Sequence, residues 1–206
     1  MINVKITKEF KGIFKGNVKD LEDKERQIRD LKLIRGNIIE VSIGIEKQLN
    51  YLISDILFGG VKNRQSDIPH ELKGEIRFFE EFILNTNYLT FGSKWKILRS
   101  LKNTCSFLTE EENEANEIIR LLQDVMEWRD NFAHGEIMFK TTEDGFTEKP
   151  YLFYYKENKP QEQILDNEFF DNIMNPLYNN ADNKIRELRT KINKKFETNK
   201  LKFEFD

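Results

Sequence analysis

The chain has 206 residues, a formal net charge of -3 and a single cysteine, and these values exclude several classes of protein. No apolar run approaches the roughly 18 residues of a membrane span, and the start of the chain lacks the apolar stretch of a signal peptide. Cys105 has no second cysteine for an internal disulfide, and no Cys and His cluster predicts a metal site. We therefore expect a cytoplasmic domain without a membrane segment, a metal or a cofactor.

The first 60 residues predict an N-terminal arm followed by a long helix. Residues 1–19 alternate loosely between apolar and basic side chains, which is typical of an arm or short strands. From residue 20 to 58 apolar residues recur at steps of three or four, as on one face of a helix. Gly36 and Gly44 interrupt this helix and favour close packing against another helix, for example in a dimer. Gly59 and the glycine after it predict the end of the helix.

Three further helices are predicted from turn residues, caps and apolar spacing. They cover residues 71 to 84, residues 93 to 107 with Ser93 as the N-cap, and residues 109 to 133 with a capping box of Thr109 and Glu112. Gly135 supplies the stop after the last of them.

The spacing of apolar residues changes from helical to alternating after Gly135. Residues 136–141 and 151–156 alternate with period two and predict a β-hairpin with a long turn. The helical period returns at Asp166 and restarts after Pro176. We therefore predict an all-α fold: one helical domain over residues 20–200, with a small β-hairpin (136–156) inserted before the last helix.

The end of the fourth predicted helix contains the residues with the clearest chemical meaning. On a helical wheel Arg129 falls in the middle of an apolar stripe, within a sector of about 100° that also contains Val125 and Phe132. A buried guanidinium is costly unless it is paired. Arg129 therefore needs a fixed anion, or it lines a cleft where an anionic ligand reaches it. Its planar fork suits phosphate.

His134 follows five residues later, at the C-terminal end of the same helix, where the helix dipole favours the imidazolium form. Asp130 precedes it by four residues on the same side, close enough to orient the ring. An arginine, an acid and a histidine at one helix end can cleave a phosphodiester without a metal. RNA carries its own nucleophile, the 2′-hydroxyl, so this chemistry requires no protein nucleophile.

The run Arg129-Asp130-Asn131-Phe132-Ala133-His134-Gly135 resembles the signature of HEPN domains (higher eukaryotes and prokaryotes nucleotide-binding). In that family an Arg is followed after four to six residues by a His, often with a polar residue directly after the Arg. The resemblance implies a HEPN-like helical bundle and a metal-independent endoribonuclease that acts on RNA. It also implies a homodimer with a composite active site, and a role as a toxin or in abortive infection, with an antitoxin or a defence complex as a further partner.

Carried over to this chain, the resemblance implies that Arg129 and His134 are catalytic and that Asp130 is their polar partner. Asn131 is adjacent and is a candidate for ligand contact. Some toxin-type members have a Tyr two residues after the His, where this chain has Glu136, which argues against that subgroup. The alternative function is a non-catalytic HEPN-like module that dimerises and binds nucleotide or RNA.

Other interpretations of the same residues stay open at the level of sequence. Arg129 can instead form a structural salt bridge, for which Glu46 on the first long helix is the candidate partner and a further candidate site residue. In that case the chain is a helical adaptor outside the family. The two basic ends of the chain can follow an RNA backbone, or they can be ordinary solvated helix faces.

Overall fold

The computed structural model describes residues 21–62, 70–85, 88–105, 108, 111–142 and 145–197. The predicted arm of residues 1–19 and Thr109 of the predicted capping box lie outside the described residues. The described part is mostly helical and contains one small antiparallel sheet. Its elements are α1 (Leu21–Lys62), α2 (His70–Phe78), α3 (Phe91–Thr104), α4 (Glu112–His134), β1 (Glu136–Thr142), β2 (Gly145–Lys156), β3 (Lys159–Ile164), α5 (Asn167–Phe169) and α6 (Asn175–Glu197).

Helix α1 has the apolar face that the sequence predicts, but it does not end where predicted. Its buried residues include Leu31, Ile38, Ile45, Leu49, Leu52 and Ile56. The helix runs through Gly59 and ends at Lys62. A Cβ atom added to Gly59 would lie 2.6 Å from two ring atoms of Phe196. Gly59 therefore lets the Phe196 ring pack directly against the backbone of α1. The prediction that this glycine ends the helix is wrong.

Two other glycines of α1, Gly36 and Gly44, are not sites of close packing among the described residues. A Cβ atom added to Gly36 or Gly44 would meet no atom within 4 Å. Gly36 is exposed and Gly44 is half-buried, and the large apolar residues Leu33 and Ile43 are exposed on the same helix. Within the described chain, the predicted approach of another helix to these glycines does not occur.

The N-cap of α3 lies three residues before the predicted one. Thr90 has extended backbone angles and its side-chain oxygen accepts a hydrogen bond from the backbone N–H of Ser93 at 3.2 Å. Ser93 is thus the residue whose amide is capped, at the third position of the helix. In α3, Leu98 is fully buried, and the Trp95 indole donates a hydrogen bond to the Ile119 carbonyl oxygen at 2.8 Å.

The inserted element is a three-stranded antiparallel sheet in the order β1-β2-β3, so the prediction of a two-stranded hairpin is incomplete. The strand β2 begins at Gly145, within the predicted long turn. The strand β3 follows a two-residue turn in which Glu157 and Asn158 both have positive φ, at 51° and 61°. That geometry is typical of a type I′ hairpin turn, although the usual Asn-Gly or Asp-Gly is absent. The fold is therefore helical with a small sheet rather than all-α.

The chain after the sheet alternates between α-helical and π-helical geometry. The Asp166 side chain caps α5 by accepting a hydrogen bond from the backbone N–H of Phe169 at 3.0 Å. A π-helical segment, Phe170–Met174, follows, and α-helical geometry resumes at Asn175, next to the predicted restart. A second π-helical segment, Phe79–Leu84, extends α2.

The chain divides into two compact units. The first consists of Met1–Gly44 and Asp124–Asn179, and the second of Ile45–Gln123 and Asn180–Asp206. Each unit has its own buried apolar residues among those described. Those of the first include Leu31, Ile38, Phe132, Leu152, Phe170 and Tyr178, and those of the second include Ile45, Leu49, Leu98, Leu122, Ile185 and Leu188.

Candidate functional site

The last two turns of α4 and the following glycine belong to the first unit, where aromatic packing holds them. Phe132 is fully buried. The Trp128 ring contacts the rings of Phe132, Tyr154 and Phe169, with centroid distances of 6.2, 6.1 and 5.0 Å. These contacts attach the helix end to β2 and to α5. Arg129, Asp130 and His134 therefore project from a helix end that is fixed by aromatic packing.

Arg129 is half-buried. Across the described ranges its guanidinium makes no ion pair and no side-chain hydrogen bond. Burial raises the pKa of Tyr178 to about 12, while its hydrogen bond with Ser42 and the charge of Arg129 both act to lower it. The Arg129 charge therefore lies close enough to the buried Tyr178 hydroxyl to act on it. An unpaired, half-buried guanidinium is able to accept an anionic ligand.

Glu46, the candidate partner of Arg129, pairs with a different cation. Its Oε1 atom accepts a hydrogen bond from Lys94 Nζ at 2.5 Å, and the Lys94 side chain is only 3% exposed. Lys94 is part of α3, and both residues belong to the second unit. Glu46 is thus already neutralised by a lysine of its own unit, and a ligand-binding role of Glu46 would have to break a nearly buried ion pair.

Asp130 and His134 are both exposed at the end of α4, one helical turn apart. In the part of the chain that the structure describes, neither side chain forms a hydrogen bond or an ion pair. The expected contact between the carboxylate and the imidazole is therefore not formed in this structure. The His134 ring is open to solvent, so a substrate can reach it. Ala133 is exposed beside it and adds no obstruction.

Asn131 and Gly135 fix the junction between α4 and the sheet. The carbonyl oxygen of Asn131 accepts a hydrogen bond from the backbone N–H of Gly135 at 2.8 Å, while its side-chain Nδ2 is buried without an acceptor. A Cβ atom on Gly135 would lie 2.5 Å from the Asn131 carbonyl oxygen and 2.8 Å from that of Phe153. Glycine is required here because two backbone oxygens approach it closely.

Arg35 is a residue of this region that the sequence did not single out. Its Nη2 atom donates a hydrogen bond to the Gly135 carbonyl oxygen at 2.5 Å, although the two residues are 100 positions apart. The Nε atom of the same side chain is buried and has no acceptor. A second guanidinium therefore lies next to the residue that follows His134. The sequence feature that could have identified Arg35 is its position next to Ile34 and near Ile38, which both belong to the buried apolar face of α1.

Among the residues that the structure describes, no three His, Cys, Asp or Glu side chains come together in a way that could hold a metal ion. None of the described helices is long and apolar enough to cross a membrane. The second unit contains an open, mainly apolar pocket of about 530 Å³, lined by Phe58, Gly74, Glu75, Phe78, Phe79 and Ile83. This pocket contains none of the candidate catalytic residues.

Comparison with protein-family models, with curated proteins and with solved structures finds no match to this chain.

Proposed function

We propose that this protein is a metal-independent endoribonuclease of the HEPN type, with Arg129 and His134 as its catalytic residues. The observation that carries the proposal is the state of Arg129, which is half-buried on an apolar helix face and has no acidic partner in the described chain. A guanidinium in that position is costly without an anion. The scissile phosphate of RNA supplies the missing charge.

The proposed reaction uses the RNA 2′-hydroxyl as the nucleophile. That hydroxyl attacks the adjacent phosphorus, the bond to the 5′-oxygen of the next nucleotide breaks, and the products end in a 2′,3′-cyclic phosphate and a 5′-hydroxyl. His134 transfers a proton at the 2′-hydroxyl or at the leaving oxygen, because an imidazole can act as a general acid or a general base. Arg129 binds the phosphate oxygens, where negative charge increases in the transition state. Asp130 orients the pair once RNA is bound.

The proposal includes a homodimer, and α1 offers a face for it in the first unit. Gly36 and Ile43 lie on the same side of the helix, within about 20° of each other, and Gly36 lies about two turns beyond Arg29. Ile43 is 43% exposed. The open space at Gly36 permits close approach of a second helix. In such a dimer the two copies of the motif would share one cleft, and the biological role would be that of a toxin or a defence nuclease, as the resemblance implies.

The test is cleavage of total bacterial RNA in the presence of EDTA. We expect wild type to fragment the RNA and to leave 2′,3′-cyclic phosphate ends. Arg129→Ala and His134→Ala should each slow cleavage by at least about 100-fold, because positioned acid–base groups commonly contribute this much. The matched control is His70→Ala, which removes the only other histidine of the chain and should cleave like wild type.

Each result has a distinct meaning. Equal cleavage by wild type and His134→Ala would refute the site. Cleavage that EDTA abolishes would refute the metal-independent mechanism. RNA binding without cleavage by wild type would refute the nuclease and favour the non-catalytic module that binds nucleotide or RNA.

A further inference from the structure

The basic residues of this chain differ in whether acidic residues already neutralise them. On α6, Lys184 pairs with Glu117 at 3.2 Å, and Lys191 and Lys195 pair with Glu111 at 3.2 and 3.4 Å. All of these residues belong to the second unit. These three lysines of α6 are therefore balanced by acidic residues within and just before α4, and they have little charge left for an RNA backbone.

The basic residues of α1 in the first unit are in a different state. Arg29 and Lys32 are exposed, and Arg35 is half-buried. Within the described ranges none of the three forms an ion pair with a carboxylate. The stretch from Arg26 to Arg35 contains four basic residues and one acid, Asp30. This part of α1 therefore keeps a net positive charge.

The hydrogen bond from Arg35 to the Gly135 carbonyl oxygen places this charge beside the candidate catalytic residues. Gly135 directly follows His134, so the C-terminal residue of the basic stretch, Arg35, lies beside the end of α4.

Helix geometry determines how the three basic side chains are arranged along α1. Arg29, Lys32 and Arg35 follow one another at steps of three residues. Each step rises about 4.5 Å and turns the side chain by about 60° around the helix. The three residues therefore span about 9 Å along α1, from the exposed side at Arg29 to the α4 junction at Arg35.

We propose that Arg29, Lys32 and Arg35 form a phosphate-binding track for single-stranded RNA, leading along α1 to the scissile phosphate at Arg129. This inference rests on the proposed function, because it assigns the neighbouring phosphates of the same substrate. The track binds the backbone and does not read bases. It supplies affinity that depends on salt, whereas Arg129 and His134 supply the chemistry.

The test measures binding apart from cleavage. All proteins carry His134→Ala, and the probe is a fluorescein-labelled polyuridine oligonucleotide titrated at a series of KCl concentrations. Arg29→Ala/Lys32→Ala removes two unpaired cations. The matched control, Lys184→Ala/Lys191→Ala, removes the same charge from residues that are already paired. Both pairs are helical surface residues, so circular dichroism should show an unchanged fold, and sedimentation should show an unchanged assembly state.

We expect the track variant to lower the salt dependence of binding, with the slope of log K against log salt smaller in magnitude by about 1.4, or about 0.7 for each lost contact with single-stranded RNA. The control should retain the parent slope. An unchanged slope in the track variant, an equal change in the control, or no RNA binding at low salt would each overturn the track. Cleavage by wild type with an unchanged slope would leave the nuclease intact and remove only the track. The expected slope change without any cleavage by wild type would retain the track and remove the nuclease.

Discussion

The close contacts of Gly135 predict that an added methyl group at this position destabilises the protein. In Gly135→Ala the new Cβ would lie 2.5 Å from the Asn131 carbonyl oxygen, 2.8 Å from the Phe153 carbonyl oxygen and 3.0 Å from Leu152 Cδ1. The leucine methyl can shift, but the two oxygens belong to the backbone of α4 and β2. The clash therefore requires the helix end and the strand to separate.

The magnitude follows from the general cost of overpacking. We expect Gly135→Ala to lower the free energy of unfolding by about 1–3 kcal/mol. The control is Gly44→Ala, where the added Cβ meets no atom within 4 Å. Because alanine is favoured over glycine inside a helix, this control should raise the free energy of unfolding by about 0.5–1 kcal/mol. The same chemical change thus has opposite signs at the two positions.

Urea unfolding followed by circular dichroism measures both effects. The midpoint of Gly135→Ala should fall below that of wild type, and the midpoint of Gly44→Ala should rise above it, with similar slopes. If Gly135→Ala is as stable as wild type, the helix end and β2 do not approach each other as the structure shows. If both variants gain stability, both positions behave as ordinary helical surface.

Two further predictions concern the first unit. Burial raises the pKa of Tyr178 to about 12, above the value of about 10 in an unfolded chain, so its stabilising contribution is complete below about pH 10 and disappears as the pH rises through 12. Between about pH 8 and about pH 11, wild type should lose about 1 kcal/mol more of its free energy of unfolding than Tyr178→Phe in urea titrations, and equal losses would contradict the raised pKa. Ile43→Arg should convert the proposed dimer to a monomer in sedimentation, whereas Ile173→Arg, at a residue that is also 43% exposed, should remain dimeric; a wild-type monomer or a dimeric Ile43→Arg would refute this α1 face.

The helices were predictable from sequence because their apolar spacing reports burial directly. On α6, where the sequence predicts a helical period after Pro176, the buried residues Ala181, Ile185, Leu188 and Ile192 recur at steps of three or four. The strand β3 was not predictable in the same way. Its sequence Lys-Pro-Gln-Glu-Gln-Ile is mostly polar and exposed, so no alternation marks it. It forms because the turn at Glu157 and Asn158 brings it against β2.

Part of the candidate site was also predictable. The helical wheel placed Arg129 on an apolar face, and the structure leaves it half-buried. The wheel does not show which distant residues come near, so it missed Arg35 and suggested Glu46 as a partner for Arg129. Lys94 takes that carboxylate through contacts between α1 and α3. Gly135 was expected to end the helix. The position requires glycine because the carbonyl oxygen of Phe153, which is 18 positions further along the chain, approaches it closely.

The positions of the two tryptophans give each compact unit its own spectroscopic reporter. Trp128 belongs to the first unit and packs against Tyr154 and Phe169, whereas Trp95 belongs to the second and donates to the Ile119 carbonyl oxygen. Trp128→Phe and Trp95→Phe would each leave a single tryptophan, which can be excited selectively over tyrosine. Denaturation followed by the fluorescence of these two variants therefore reports whether the units lose their structure together or one before the other.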